Sequence, residues 1–289
     1  MERPLETRAA VASVISDPVR EPMGGPAGST VVGCRRAGAD LCGIGELADA
    51  ELAEILGHTQ ALKELPSLPL VLPGRQIVAA FAEPSTRTRM SFTAAARRLG
   101  AGVFAFDGGA STSASKGEST LDALRNLDAM GFDAFVVRDR QQGFVRRLQD
   151  ELRARVINAG DGTGEHPTQA LLDAATILEA FGRSIEDVKN ALEGLQIAIC
   201  GDILHSRVAG SNLRLLPRLG ASVVVAGPPG LIDSAVLPSS IEVAESLDQA
   251  LLGADVIMML RVQRERLPAT LELPDDASYH ARWGLSVSR

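Results

Sequence analysis

The chain is short of cysteine, of histidine and of basic charge, and each shortage removes a class of protein. It has three cysteines in 289 residues, Cys34, Cys42 and Cys200. They are odd in number and have no metal-ligand spacing. Such usage fits free thiols in a reducing cytoplasm better than a disulfide scaffold. His58, His166, His205 and His280 are scattered and spell no zinc motif, so no metal or cofactor is expected. A formal net charge of −7 argues against a general nucleic-acid binder, which needs a basic face for phosphates. A small anionic ligand stays open, because a local arginine cluster can outweigh a distant negative surface. No apolar run approaches a membrane span, and the N-terminus lacks the apolar core of a signal peptide. These absences predict a soluble, cytoplasmic protein that engages neither nucleic acid nor membrane.

What is present reads as a globular α/β chain. Hydrophobic residues make up 45% and charged residues 22%, and the length favours two domains. Residues 1–36 are rich in Pro, Gly and Arg and read as a flexible tail; a transit peptide or a misjudged start codon would look much the same. From Ile44 the character changes, with Leu47, Leu52, Ile55, Leu56 and Leu62 near a helical period. Residues 76–82 form a short apolar run suited to a buried strand. Ser85 or Thr86 then caps a helix that runs to Leu99, with Gly100 as its stop. Strands follow at 103–106, 134–137 and 156–158, and helices at 119–130, 144–152 and 167–181. The polar stretch 182–194 separates these from a second series, with strands at 196–200, 222–226 and 256–260 and helices at 206–219 and 247–251. Strands alternating with helices imply parallel sheets with right-handed crossovers. The expected fold is therefore α/β, with two domains at 37–181 and 195–289, each a parallel sheet flanked by helices.

The sharpest local signal is EPSTRTR at residues 83–89, between a strand and a helix. A helix N-terminus presents free backbone N–H groups and partial positive charge, which suits phosphate. Ser85, Thr86 and Thr88 add hydroxyl donors, and Arg87 can pair with phosphate oxygens in a bidentate way. Taken alone, the segment reads equally as a well-capped helix with two surface arginines. His166 and Gln169 lie three apart around Pro167 at a helix start, so both can point toward one ligand. Arg138 ends a strand, and Arg207 and Arg261 also fall at the carboxyl ends of strands, where parallel sheets meet their ligands. Lys116 stands in a loop of small residues and by itself reads as a solvated lysine.

Residues 81–92 (FAEPSTRTRMSF) resemble the carbamoyl-phosphate signature of the aspartate and ornithine carbamoyltransferases. Further matches follow in family order: SKGES at 115–119, VVR ending at Arg138, NAGDGTGEHPTQALLD at 158–173, GDILHSRVAGSN at 201–212 and RVQRER at 261–266. The resemblance covers residues 44 to about 267. It implies a carbamoyl-phosphate-binding domain followed by an aspartate-binding domain. It further implies that Ser85, Thr86, Arg87 and Thr88 hold the phosphate, that Arg138, His166 and Thr88 polarise the carbonyl, and that Gln169 holds the amide. Arg87, Thr88, Arg138 and His166 are the expected catalytic residues. Arg207, Arg261 and Gln263 would bind aspartate, with Lys116 supplied to the active site of a neighbouring subunit. That last assignment implies a homotrimer with shared active sites; regulatory or dihydroorotase-like partner chains are further candidate partners. His205 receives no role.

Aspartate is the favoured acceptor. Relatives that use ornithine usually carry a lysine earlier in the first segment and a His-Cys-Leu-Pro motif near the end, and neither is present. Asp139 replaces a histidine common in relatives and is expected to pair with neighbouring arginines. The family also continues past the segment resembling SYHARWGLSVSR with a His-Pro-x-Pro-Arg loop and a final helix. The second domain is therefore expected to be C-terminally incomplete. That leaves a second expectation, a catalytically impaired homologue that serves as a structural or regulatory partner. Closure of the two domains about residues 182–194 would exclude water from the reaction.

Overall fold

The computed structural model of the chain describes residues 40–107, 118–287 and 289. The expected tail at 1–36 and Lys116 with most of its loop lie outside them. The described chain opens with α1 (Asp49–Lys63) and then alternates. β1 (Gln76–Phe81) leads to α2 (Thr86–Arg98) and β2 (Gly102–Phe106). α3 (Thr120–Ala129), β3 (Ala134–Asp139), α4 (Phe144–Glu151) and β4 (Arg155–Asp161) follow. The strand order is β2-β1-β3-β4, and β1 runs parallel to β2, with Gln76 opposite Gly102 and Ala80 opposite Phe106. Helical crossovers between strands leave a parallel register as the simplest closure. β1 is buried from Ile77 to Phe81, so it reads as a continuous apolar run and not as an alternating one.

The second series holds α5 (Pro167–Ala180), β5 (Gln196–Cys200), α6 (Arg207–Arg218), β6 (Ser222–Ala226), β7 (Glu242–Val243), α7 (Leu247–Leu251), β8 (Val256–Met259) and α8 (Asp276–Trp283). These strands form a sheet of order β7-β6-β5-β8, parallel at every pairing. Two elements escaped the sequence reading. β7 is a two-residue exposed strand, too short to show a period. α8 buries only Trp283 along its length and is set by its cap, where Asp275 accepts from the Ala277 and Ser278 amides. β3 and β4 run further than their apolar runs suggest, ending at Asp139 and Asp161. No helix of the described residues is long and apolar enough to cross a membrane.

By their internal contacts the described residues divide into two compact units. One holds residues 40, 58–107, 118–137 and 147–157, the other 41–57, 138–146 and 158 onward. The division differs from a single cut at 182–194 because α5 packs its apolar face into the second unit's core. Ala170, Leu171, Ala174, Ile177 and Leu178 join Ile197, Ile199, Leu215 and Leu216 there. The N-terminal segment is tied to the same unit by Arg218, which donates to the Ile44 and Leu47 carbonyls at 2.9 Å and pairs with Asp49 at 2.5 Å. The Asp49 carboxyl is lowered chiefly by that hydrogen bond from Arg218.

Leu215 is fully buried in this core, so Leu215→Ala should destabilise the protein by about 2–5 kcal/mol through lost transfer energy and a residual cavity. Chemical denaturation checks it; an unchanged midpoint would remove Leu215 from the packed core.

Candidate functional site

The loop after β1 lies in the first unit. Ser85 is the N-cap of α2 with extended backbone, but its hydroxyl makes no cap to the helix backbone. It donates instead to Thr88 Oγ at 2.9 Å. The first amides of α2 are therefore not consumed by the chain's own cap, which leaves them for an anion. Arg87 is exposed. Arg89 turns the other way, lying over the Phe81 ring at 5.4 Å and pairing with Asp107 at 2.5 Å, so the two arginines of the motif have different jobs.

In the second unit the loop from β4 to α5 is braced by buried polar groups. Asp161, 5% exposed, accepts from the Glu165 amide at 2.9 Å and the Gly143 amide at 2.8 Å. Asn158 accepts from the Gly160 amide at 2.7 Å and donates to the Cys42 carbonyl at 2.9 Å. Glu165 in turn accepts from the Ile44 amide at 2.9 Å and from the Ser211 hydroxyl at 3.2 Å. Buried polar groups persist only when paired in this way. The braced loop delivers His166 as the N-cap of α5, ahead of Pro167 in the first turn. His166 is 7% exposed; its amide donates to Ser211 Oγ at 2.9 Å and its Nδ1 lies 3.2 Å from Thr168 Oγ1.

Gln169 is one turn further on, and its Nε2 donates to Asp173 Oδ1 at 2.9 Å. Asp173 Oδ2 accepts from Asn212 Nδ2 on α6 at 2.8 Å. Burial pushes the Asp173 carboxyl up from its ordinary value, against the two amide donors that pull it down. Asn212 Oδ1 is buried with no hydrogen-bond partner among the described residues, an orphan that costs about 1–3 kcal/mol.

Arg138 and Arg207 meet at Gly160. A Cβ placed on Gly160 would lie 2.9 Å from Arg207 Nε and 3.2 Å from Arg138 Nη1. The glycine also has φ +114°, a conformation side chains rarely adopt. Arg138 comes from the end of β3, and its Nη1 donates to the Ala159 carbonyl at 3.3 Å. Arg207 opens α6, is 5% exposed and follows Ser206, whose hydroxyl caps the helix by accepting from Ala209 N. Among the described residues Asp139 forms no ion pair with a neighbouring arginine, contrary to the expectation. Its carboxylate accepts from the Gln141 amide at 2.7 Å and so closes the turn after β3.

The strand order of the second sheet reverses between β5 and β8, and loops at such a switch point form ligand crevices. Asp202, fully buried after β5, links the two loops there. Its Oδ1 accepts from His205 N and lies 2.8 Å from His205 Nδ1, while its Oδ2 accepts from the Gln263 amide at 2.9 Å. Arg266 adds a hydrogen bond to the His205 carbonyl at 3.0 Å. Gly201, with φ +122°, allows the approach, since a Cβ there would stand 2.4 Å from the Leu260 carbonyl oxygen. Asp202 was not singled out from sequence, where His205 was given no role; an acidic residue directly after a strand and its glycine was the available signal. Arg261 is exposed and forms a two-point ion pair with Glu265, at 2.5 and 3.1 Å.

The structure thus brings Arg138 and Arg207 together, and sets Gln263 beside Asp202. It places Ser85, Thr86, Arg87 and Thr88 on the first unit and the other described candidates on the second. A cavity of about 550 Å³ in the second unit, lined among others by Gln142, Arg146, Thr163, Ser206 and Arg214, contains none of the predicted ligands. Among the described residues no cluster of His, Cys, Asp and Glu could hold a metal ion.

Hydrogen bonding from Arg261 holds the Glu265 carboxyl down from 4.5 to about 2. Its contribution to stability is therefore complete above pH 4.5 and fades as the pH falls toward 2. Carboxyl-carbon NMR should find this titration near pH 2 in the wild type. A midpoint at the ordinary glutamate value would mean that the ion pair does not form in solution.

The family described as aspartate/ornithine carbamoyltransferase, carbamoyl-P binding domain, matches residues 39–179. The aspartate carbamoyltransferase catalytic subunit of Sorangium cellulosum is 46% identical over 254 residues, covering 86% of this chain and 76% of that one. A crystal structure of aspartate transcarbamoylase from Trypanosoma cruzi in complex with carbamoyl phosphate superposes with a TM-score of 0.70 at 32% identity, covering 84% of this chain and 76% of that one. Ornithine carbamoyltransferase from Thermus thermophilus superposes with a TM-score of 0.67 at 26% identity, covering 79% and 76%. With two parallel α/β sheets and 46% identity over about three quarters of such a relative's length, the chain belongs to the aspartate/ornithine carbamoyltransferase family.

Proposed function

We propose that this chain transfers the carbamoyl group of carbamoyl phosphate to the α-amino group of L-aspartate. The products are N-carbamoyl-L-aspartate and phosphate, in an early step of de novo pyrimidine biosynthesis. The observation that carries this reading is the convergence of Arg138 and Arg207 on Gly160. Two guanidinium groups from different elements, held together without a side chain between them, call for anionic substrate on both sides of a transfer. The 46% identity to an aspartate carbamoyltransferase catalytic subunit supports aspartate as the acceptor. Arg207 and Arg261 suit two carboxylates better than the ammonium of ornithine.

Ser85, Thr86, Arg87 and Thr88 take the phosphate, by hydroxyls, guanidinium and the amides at the start of α2. Arg138, His166 and Thr88 donate to the carbonyl oxygen, which gains charge as the tetrahedral centre forms. Gln169 holds the carbamoyl amide. The deprotonated amine of aspartate attacks the carbamoyl carbon, the C–O bond to phosphate breaks, and the departing phosphate accepts the amine proton. Arg207, Arg261 and Gln263 hold aspartate. For Arg261 the Glu265 carboxylate occupies the place where a substrate carboxylate would bind, so aspartate must share or displace it. Lys116 is assigned to the site of a neighbouring copy, which makes the working form a homotrimer, in the cytoplasm.

The decisive assay follows carbamoyl-aspartate formation by the purified protein, with L-ornithine as the control acceptor. Turnover with aspartate alone is expected. No turnover with either acceptor from a folded sample would overturn the reading and leave a carbamoyltransferase fold without independent catalysis. Arg138→Ala should lower kcat by about two orders of magnitude, as loss of an oxyanion donor does. Near-wild-type turnover would remove Arg138 from the chemistry.

A further inference from the structure

We propose that Asp173 is a positioning residue that fixes which end of the Gln169 amide faces the substrate, and so sets the preference for a carbamoyl over an acyl phosphate. The inference rests on the assignment of Gln169 to the carbamoyl amide. A glutamine side chain is nearly symmetric in shape but not in chemistry, since one arm donates two hydrogens and the other only accepts. Nothing in the Gln169 side chain itself decides which arm points outward. The decision comes from Asp173, one turn on, whose ionised carboxylate can only accept. The arm of Gln169 that meets it at 2.9 Å must therefore be the NH2. The carbonyl Oε1 is left as the outward arm, and an outward acceptor selects a ligand with N–H to give.

Asn212 shows how firmly the carboxylate is kept. Its Nδ2 donates both to Asp173 Oδ2 at 2.8 Å and to the Val208 carbonyl at 3.1 Å. Two acceptors on one side pin that amide, and the cost is visible in its buried and unpartnered Oδ1. Both neighbouring amides give N–H to Asp173, Gln169 at 2.9 Å and Asn212 at 2.8 Å, so each of its oxygens is engaged as an acceptor. Asn212 also lies on α6, the helix that begins at Arg207. The carboxylate therefore joins the element that presents Gln169 to the element that presents Arg207.

The pinning of Asn212 makes the outcome of one substitution specific. In Asp173→Asn one arm of the new side chain is a donor. It cannot face Asn212, which the Val208 carbonyl holds with its NH2 inward, so it must face Gln169. Gln169 then turns over and presents NH2 to the substrate. Carbamoyl phosphate, which offers N–H at that point, loses its hydrogen bond and meets a like donor. Acetyl phosphate, with a methyl group there, loses nothing.

The test compares KM for carbamoyl phosphate with the inhibition constant of acetyl phosphate, in the wild type, Asp173→Asn and Gln169→Ala, each checked for folding by circular dichroism. In Asp173→Asn the preference for carbamoyl over acetyl phosphate should fall about tenfold, the size expected for one hydrogen bond exchanged for an unmatched donor. Equal weakening of both ligands would reveal a purely structural role, and an unchanged ratio would show that the amide does not turn; either overturns the proposal. Gln169→Ala separates the underlying assignment. If it lowers the ratio while Asp173→Asn does not, Gln169 holds the amide and Asp173 is the error. If Gln169→Ala leaves the ratio unchanged, the assignment of Gln169 fails and takes the proposal with it. Should Asp173→Asn not fold, Asp173→Ser, too short to reach Gln169, should lower the ratio about threefold by releasing the amide without reversing it, and an unchanged ratio there counts against the proposal as well.

Discussion

The Asp161 carboxylate is the constraint on which the second unit's chemistry depends. At the end of β4 the chain must turn sharply, pass a glycine under two arginines and start a helix at a histidine, all with little solvent access. Backbone N–H groups in such a turn have no ladder to join, so a buried acceptor has to replace it. Asp161 does this by accepting from Gly143 on one side and Glu165 on the other. The turn after β3 and the turn after β4 are thereby held by one side chain. Arg138 lies just before the first and His166 just after the second.

The same device recurs at the second sheet. Asp202 sits at the end of β5 and accepts from the chain leading to Arg207 and from the chain following Arg261. In both places a buried carboxylate joins two loops that leave the carboxyl ends of parallel strands. Replacing either with an apolar residue would leave backbone N–H groups buried and unsatisfied, a larger loss than one hydrogen bond is worth. Amide donors on both oxygens explain how the carboxylates are tolerated away from water.

The strands were readable because a buried parallel strand is a short apolar run, and β5, β6 and α7 fall where their runs place them. The helix starts at Ser85, Ser119 and Ser206 were readable because N-caps have a narrow residue preference. The candidate ligands were readable mainly as motifs. Their supports were not, for a physical reason: Asp202 acts on Gln263 and Asp173 on Asn212 across long stretches of chain, and no local period or spacing encodes such a pairing. Asp139 shows the converse. Its charge beside Arg138 suggested an ion pair, yet turn geometry claimed the carboxylate first. The grouping of α5 with the second sheet was likewise invisible, because an apolar helix face does not announce which core it will enter.

Gly160 has a consequence for how this protein can change. Because the two guanidinium groups lean on the same missing side chain, any substitution there must push on both at once. Arg138 and Arg207 therefore cannot be repositioned separately through this position. A lineage that moved one of these arginines would have to leave Gly160 untouched and vary the loops that carry them instead, and a designer faces the same restriction.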